Sequence, residues 1–278
     1  MRLGSIVRLV RPVNALIAFL AVITGAATVT RSLLDLRVLL GAASAALVLM
    51  SGNAVNDVFD VEADRVNRPN RPLPRGELSL RQASSVSLLF AFFAVALALS
   101  INLACFLVAL FYVAIFYAYA AWLKPTGLLG NVAVSSGTGM SIVYGSLAVD
   151  WVRPLTVLLA VCAFMLNLGR EIVKGVEDLE GDKARNCGTI ALRHGSHVAG
   201  LSVAVLYLIL LPVSLTPFLL GYTGLLYVAS ILAADLVVIA AIRESLLLRM
   251  ENASKTSRLI KISMVMGIMA FLIGAASR

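Results

Sequence analysis

The chain has 278 residues, of which 60% are hydrophobic and only 14% are charged. Soluble domains carry about 25% charged residues, so this chain has too little polar surface for a water-soluble fold, and a membrane protein is expected. Its net charge of +8 is accounted for by basic loops that meet anionic lipid headgroups, and we therefore expect the lipid bilayer, and no nucleic acid, as a partner.

Apolar stretches long enough to cross a bilayer recur along the whole chain. A spanning helix needs about 20 predominantly apolar residues. Nine stretches qualify, namely residues 13–30, 36–56, 83–103, 104–122, 129–149, 154–173, 198–218, 220–241 and 259–277. The boundary between the third and fourth stretches is soft, which leaves eight or ten crossings open. The sequence thus predicts an all-α membrane bundle of nine transmembrane helices, forming a single domain over residues 1–278.

A first polar loop, near residues 53–82, follows the second predicted helix. Asn56, Asp60 and Asp64 recur in it every four residues, so they share one face if the helix continues into the loop. Like charges four residues apart repel each other, and the spacing therefore indicates a bound cation. Carboxylate oxygens are hard ligands that suit Mg²⁺.

The same loop continues with arginines that alternate with prolines. Arg68 and Arg71 each precede a proline, which stiffens the backbone and excludes helix. Because a guanidinium group binds phosphate in a bidentate manner, both arginines are candidate phosphate ligands. An equal alternative is that they only mark the cytoplasmic side of the membrane.

A second polar loop, near residues 170–197, follows the sixth predicted helix and repeats the spacing of the first. Lys174, Asp178 and Asp182 again recur every four residues, and residues 52–74 and 170–183 together hold nine of the fifteen Asp and Glu residues. Facing each other across a cavity, such loops would hold a diphosphate between bridging metal ions. The alternative is an ordinary solvated mixture of charges.

The basic residues distribute unequally over the two sides of the predicted bundle. With nine crossings, nineteen of the 23 Lys and Arg residues fall on the side that carries both acidic loops. Cytoplasmic loops are enriched in Lys and Arg. We therefore expect both loops to face the cytoplasm and the protein to reside in the cell membrane.

The two acidic motifs together resemble a known enzyme family. Residues 56–64 read Asn-Asp-x-x-Asp-x-x-x-Asp, and Asp178 and Asp182 form a second Asp-x-x-x-Asp motif. This arrangement resembles the UbiA prenyltransferase superfamily over essentially the whole chain. The resemblance implies nine helices around a central cavity that the two loops cap. It also implies Mg²⁺-dependent transfer of a prenyl group from an isoprenyl diphosphate donor.

Within that superfamily, residues 9–14 and 170–183 resemble the archaeal digeranylgeranylglyceryl phosphate synthases. These enzymes make the second ether bond of archaeal membrane lipids. The resemblance implies transfer of a geranylgeranyl group from geranylgeranyl diphosphate to the hydroxyl of geranylgeranylglyceryl phosphate. An aromatic acceptor such as 4-hydroxybenzoate is the alternative within the superfamily.

The resemblance also implies roles for particular side chains. The catalytic residues would be Asn56, Asp60, Asp64, Asp178 and Asp182, of which the four aspartates would bind the metal. The substrate-binding candidates are Asn14, Asn53, Asp57, Arg68, Arg71, Lys124, Tyr144 and Lys174. Packing is the commoner role for membrane asparagines such as Asn14 and Asn53, and a hydrogen-bonded core position is the commoner role for Tyr144.

The expected phosphate ligand Lys124 lies in a motif that departs from the family pattern. Many members of the superfamily carry Tyr-x-x-x-Lys after the fourth helix. Here Ala120 occupies the position of the tyrosine, and Tyr119 precedes it by one residue. The resemblance therefore leaves the role of the tyrosine open.

Two other classes of membrane protein compete with the prenyltransferase hypothesis. A transporter places ionisable residues near the middle of the bilayer, whereas only Asp235 is deep in a predicted helix here. A CDP-alcohol phosphotransferase would need further aspartates that are missing between Asp182 and Asp235. We expect no obligate protein partner.

Overall fold

A computed structural model describes residues 3–184 and 187–276. Within these two ranges every regular element is a helix and there is no strand. The helices are α1 Leu3–Val10, α2 Pro12–Ala27, α3 Leu36–Phe59, α4 Val61–Asn67, α5 Leu80–Leu99, α6 Leu103–Ala118, α7 Leu128–Leu147, α8 Pro154–Glu177, α9 Leu179–Ala184, α10 Ile190–Leu219, α11 Leu225–Leu246 and α12 Met250–Ala276. The expected all-α class is therefore confirmed for the part of the chain that is described.

Polar capping residues separate helices that hydropathy alone runs together. The Ser79 side chain accepts from the Gln82 backbone N–H and the Gln82 side chain accepts from that of Ser79, a capping box that begins α5. Asn102 caps α6 by accepting from the N–H of Cys105, and its amide group also donates to the carbonyl of Leu147 at 2.9 Å. Asn102 therefore marks the boundary between the third and fourth predicted helices, which the sequence left open.

Fewer helices have the length and composition of a membrane span than the nine that the sequence predicted. Among the described residues, seven helices are long and apolar enough to cross a membrane, and the bent pair α1 and α2, which meet at 50°, would make an eighth. Helix α7 does not qualify, because it is rich in Gly, Ser and Thr. The seven or eight apolar helices establish an integral membrane protein, and nine crossings remain a prediction.

The small residues of α7 allow it to pack closely inside the bundle. A Cβ atom added to Gly145 would lie 1.8 Å from the carbonyl oxygen of Val22, and one added to Gly25 would lie 1.7 Å from that of Ile142. Helices α2 and α7 therefore touch backbone to backbone, a close approach that small residues permit in membrane proteins.

Three later helices extend beyond their apolar stretches, which corrects the sequence-based boundaries. Helix α10 begins at Ile190, α11 ends at Leu246 and α12 begins at Met250. Lys261, which lies near the start of the predicted stretch 259–277, is therefore about three turns inside α12. The physical reason is that a membrane helix tolerates charged residues where they face the interior of the bundle.

Candidate active site

A cavity of about 570 Å³ opens between the helices of the bundle. Its wall is formed by α2, α3, α6, α7, α8 and α12, together with the short helices α4 and α9. Its lining includes charged side chains from α4, α8, α9 and α12 and from the segments between helices, and Ala, Val, Ile, Leu, Met and aromatic side chains from α2, α3, α6, α7, α8 and α12. The cavity thus has the two chemistries that an amphiphilic substrate requires.

The first acidic motif lies at a one-residue break between α3 and α4. Asp60 is the break, with φ −91° and ψ 2°. The membrane helix therefore does not run through the motif without interruption, as the shared-face interpretation of the spacing had assumed. The backbone N–H of Asp60 still bonds to the carbonyl of Asn56 at 2.9 Å, and that of Asp64 bonds to Asp60 at 2.8 Å. The four-residue periodicity therefore survives the break, and all three side chains line the cavity.

The second acidic motif repeats this geometry between α8 and α9. Asp178 is the break, with φ −98° and ψ 14°. Its N–H bonds to the carbonyl of Lys174 at 2.9 Å, and the N–H of Asp182 bonds to Asp178 at 2.9 Å. Asp178, Asp182 and Lys174 line the same cavity as the first motif. The two motifs thus line one cavity, the arrangement that the metal hypothesis requires.

Asn67, which the sequence pattern did not single out, joins the two motifs directly. Its side-chain amide donates to the carbonyl of Asp178 at 3.1 Å and accepts from the N–H of Gly181 at 3.0 Å. Gly181 has no side chain to obstruct the contact, since an added Cβ atom would lie 2.2 Å from Asn67 Nδ2. Asn67 therefore fixes α4 against α9, which carry one aspartate each.

The aspartates of the two motifs contact basic side chains. Asp60 pairs with Lys124 and also accepts from Asn56 at 2.7 Å. Asp178 accepts from Arg68 Nη2 at 2.7 Å and 3.0 Å through its two oxygens. The predicted phosphate ligands Lys124 and Arg68 are therefore held at the carboxylates, where a diphosphate bound to the aspartates would meet them.

Asp64 and Asp57 share one arginine. Arg71 contacts Asp64 and lies 3.1 Å from Asp57. Burial lowers the pKa of Arg71, but the two carboxylates outweigh this and leave its pKa raised, so it stays charged. Asp57 also pairs with Arg11 and is not among the residues that line the cavity. Its contacts are those of a residue that positions Arg11 and Arg71.

The donor set of the two motifs fits a hard divalent cation. Asp60, Asp64, Asp178 and Asp182 provide only oxygen atoms and line one cavity. Within residues 3–184 and 187–276, no three His, Cys, Asp or Glu side chains converge closely enough to form a complete metal site. An all-oxygen donor set suits Mg²⁺, which usually takes one or two protein carboxylates and completes its coordination with water and substrate phosphate.

Arg11 lies at the bend between α1 and α2 and binds Asn53, one of the predicted substrate-binding residues. It has a left-handed backbone with φ 54°, which is uncommon for a residue other than glycine. Its side chain donates to Asn53 Oδ1 at 3.2 Å, and Asn53 donates to the carbonyl of Val10 at 3.1 Å. Asn53 therefore secures the bend as well as lining the cavity.

Tyr119 reaches the site through an irregular turn. Residues Tyr119–Leu123 form a π-helical turn, in which the N–H of Lys124 bonds to the carbonyl of Tyr119. A π turn closes over five residues instead of four, so Tyr119 takes the position relative to Lys124 that Ala120 would have in an α-helix. Tyr119 and Lys124 line the cavity, whereas Ala120 is fully buried elsewhere.

Lys174 and its neighbours form a polar cluster that the sequence identified only in part. Lys174 donates to both oxygens of Glu171, at 3.0 Å and 2.9 Å, and Arg170 lies 3.4 Å from the same carboxylate. All three line the cavity. Lys174 is therefore adjacent to the second motif but paired with Glu171.

Tyr144 and Asn14 occupy two different parts of the wall. Tyr144 is buried, lines the cavity and shares a hydrogen bond of 3.1 Å with Ser44. These contacts fit a hydrogen-bonded core tyrosine as well as the predicted substrate-binding residue. Asn14 accepts from Lys261 at 2.9 Å. Lys261 was not predicted as a site residue, because its contact with Asn14 joins two residues that are far apart in the sequence.

Comparisons with known proteins agree with this geometry. The model of the UbiA prenyltransferase family matches residues 16–269. A digeranylgeranylglyceryl phosphate synthase of Korarchaeum cryptofilum (strain OPF8) is 37% identical over 98% of this chain and 97% of its own length.

Solved structures share the fold over nearly the whole chain. A structure of digeranylgeranylglyceryl phosphate synthase aligns with a TM-score of 0.77 and 30% identity, covering 99% of each chain. A UbiA homolog from Archaeoglobus fulgidus bound to DMAPP and Mg²⁺ aligns with a TM-score of 0.65 and 20% identity, covering 96% of this chain and 99% of its own. The chain therefore belongs to the UbiA prenyltransferase family and is an intramembrane prenyltransferase.

Proposed function

We propose that the protein transfers a geranylgeranyl group from geranylgeranyl diphosphate to geranylgeranylglyceryl phosphate and so forms the second ether bond of archaeal membrane lipids. The observation that carries this proposal is that both aspartate motifs and many apolar side chains line the same cavity. The full-length similarity to digeranylgeranylglyceryl phosphate synthases supports the choice of donor and acceptor.

The charge of the cavity supports a requirement for Mg²⁺. Among the described residues, seven cationic and six carboxylate side chains line it, so the protein supplies little net positive charge. A diphosphate carries several negative charges, which need compensation in a site removed from water. Mg²⁺ held by Asp60, Asp64, Asp178 and Asp182 would neutralise the charge that develops on the leaving diphosphate.

The residues of the chain then have distinct tasks in the transfer. Lys124, Arg68 and Arg71 provide donors to the diphosphate oxygens beside the aspartates, where preorganised positive charge favours ionisation. Asn56 holds Asp60 by a hydrogen bond of 2.7 Å. As the allylic C–O bond breaks, the acceptor hydroxyl attacks the allylic carbon and loses its proton, and diphosphate leaves.

The apolar wall accounts for the selectivity of transfer over hydrolysis. Ile17, Val108, Phe116, Met140 and Ile142 lie among the residues that line it. An isoprenyl chain in this part of the cavity excludes water from the allylic carbon. Tyr112, Phe116 and Tyr144 also present aromatic rings to the cavity, and aromatic faces attract cations.

A transfer assay with matched aspartate variants tests the proposal. Purified protein with Mg²⁺ and labelled geranylgeranyl diphosphate is offered geranylgeranylglyceryl phosphate or 4-hydroxybenzoate. We expect label in the glyceryl ether only, and Asp60→Asn and Asp178→Asn each to lower kcat by about 100-fold or more. Asp150→Asn, which changes an exposed aspartate that does not line the cavity, should retain full activity.

Each alternative outcome has a definite meaning. Label that enters only 4-hydroxybenzoate would replace the acceptor and keep the aspartate site. Full activity of Asp60→Asn and Asp178→Asn would overturn the site itself. Activity of the wild type without divalent cations, after dialysis against a chelator, would overturn the requirement for Mg²⁺.

A further inference from the structure

Lys261 differs from the other lysines of the cavity in its partners. Lys124 pairs with Asp60, and Lys174 pairs with Glu171. Lys261 instead donates to the uncharged Asn14 at 2.9 Å, and within residues 3–184 and 187–276 it forms no ion pair with a carboxylate. Its charge is thus the one lysine charge of the described cavity wall that the protein does not neutralise by direct contact.

A second cation with unused hydrogen-bonding capacity lies near Lys261. Arg170 on α8 and Arg11 at the start of α2 line the same cavity as Lys261, and α12, which carries Lys261, packs against both α2 and α8. Arg170 contacts Glu171 through Nη1 at 3.4 Å, but its buried Nε has no hydrogen-bond partner among the described residues. Positive charge gathered in a membrane-embedded interior costs free energy unless an anion binds to it.

This cationic cluster is separate from the aspartate motifs. Arg170 precedes Asp178 by eight residues of α8, a distance of about 12 Å along a helix. Lys261 is carried by α12, which packs against α2 and α8, whereas the first motif lies at the end of α3. An anion bound by Lys261 and Arg170 would therefore be a different group from a diphosphate bound by the aspartates.

The wall next to the cluster suits an apolar chain. Lys261, Met264, Ile268 and Phe271 line the cavity from α12, and their spacing of three or four residues places them on one face of that helix. On α2, Asn14 is followed in the same way by Ile17 and Ala21. Both helices thus present a polar group followed by an apolar stripe, which matches a lipid with an anionic head.

We propose that Lys261, Arg170 and Asn14 form the subsite that binds the phosphate monoester of the acceptor. The inference rests on the proposed function, because that function supplies an acceptor with a phosphate and an isoprenyl chain. The other candidate phosphate ligands, Arg68 and Arg71, contact aspartates and are assigned above to the diphosphate. The subsite would set the specificity for phosphorylated lipid acceptors.

Steady-state kinetics of Lys261→Met test the subsite, with geranylgeranylglyceryl phosphate and its dephosphorylated form as acceptors. We expect the KM for the phosphorylated acceptor to rise by about 10-fold to 100-fold, the effect of losing a hydrogen bond to a charged group. The KM for geranylgeranyl diphosphate should change less than about twofold. The wild-type preference for the phosphorylated acceptor should shrink by the same factor as the KM rises.

Two further variants serve as controls. Lys255→Met removes the same charge from α12 at an exposed residue that pairs with Glu244 and does not line the cavity, so both KM values should stay at the wild-type level. Lys261→Arg keeps the charge and should keep the acceptor KM within about threefold of the wild type. A folded Lys261→Met protein is recognised by its unchanged donor KM.

The outcomes separate this inference from the proposed function. A wild-type enzyme that transfers to the phosphorylated acceptor, with a Lys261→Met variant of unchanged acceptor KM, overturns the subsite alone. A rise confined to the donor KM also overturns it and assigns Lys261 to the diphosphate. A wild type that transfers only to acceptors without phosphate overturns the proposed function and the subsite together.

Discussion

Tyr119 shows how one irregular turn changes the assignment of a single residue. Tyr119 and Lys124 are five positions apart in the sequence, so a regular helix would place them on different faces. The π turn at Tyr119–Leu123 brings both to the cavity. Tyr119 lines the same cavity as the aspartates of both acidic motifs.

The position of Tyr119 predicts a role for its hydroxyl group. We expect Tyr119→Phe to lower kcat/KM for geranylgeranyl diphosphate by about 10-fold, because a hydroxyl that bonds a charged group contributes roughly 1.5–3 kcal/mol. The matched control is Tyr117→Phe, whose hydroxyl bonds to Ser87 at 2.6 Å and does not line the cavity. Steady-state rates of the two variants check the prediction, and equal losses in both would contradict it.

At the scale of elements, the short helices α4 and α9 form one unit. Each begins at an aspartate that interrupts a long membrane helix, and each carries a second aspartate one turn later. The Asn67 side chain bonds to the carbonyl of Asp178, directly before α9, and to the N–H of Gly181 within α9. The distance between the two acidic motifs is therefore set by a contact between these helices and not by the membrane spans alone.

Removal of this contact should raise the Mg²⁺ requirement of the enzyme while lowering the stability of the fold only slightly. We expect Asn67→Ala to raise the Mg²⁺ concentration for half-maximal activity several-fold, because the two motifs are no longer held at one spacing. Two lost hydrogen bonds contribute about 1 kcal/mol each to stability, so the protein should still fold. Activity titrated with Mg²⁺ measures the effect.

The neighbouring loop offers a control for the contact between α4 and α9. Asn70 is exposed and forms no part of the cavity wall, so Asn70→Ala should leave the Mg²⁺ requirement unchanged. An unchanged requirement in Asn67→Ala as well would show that the two motifs keep their spacing without the asparagine.

At the scale of the whole molecule, the unequal distribution of basic residues predicts an orientation in the membrane. We propose that both acidic loops face the cytoplasm of the cell. The described native cysteines, Cys105, Cys162 and Cys187, are all buried, so they should react slowly with a water-soluble maleimide. An added exposed cysteine therefore reports the side on which it lies.

Labelling of intact cells tests this orientation. We expect Ser32→Cys, at an exposed residue between α2 and α3, to react with a membrane-impermeant maleimide outside the cell. Asn70→Cys, in the arginine-rich loop, should react only after the cells are opened. The reverse pattern would place the active site outside, and labelling of both in intact cells would show that the chain does not hold a single orientation.

Much of the site was predictable because its signal is local. The aspartates and Asn56 recur every four residues, and backbone hydrogen bonds keep this periodicity even across the breaks at Asp60 and Asp178. The contacts of Asn67, Lys261 and Arg170 join residues that are far apart in the sequence or lie on different helices. No spacing within one segment can indicate them, since they depend on which helices pack together.

The sequence by itself determined the class of the protein: a helical membrane protein, with two metal-binding aspartate motifs predicted on one side. Hydrophobic length and charge decide these features, because the bilayer admits only apolar helices and retains basic loops on the cytoplasmic side. The tertiary structure alone decided which cations pair with aspartates and which remain available. That outcome depends on helix packing, which joins Lys124 to Asp60 and Arg68 to Asp178 and leaves Lys261 beside Asn14.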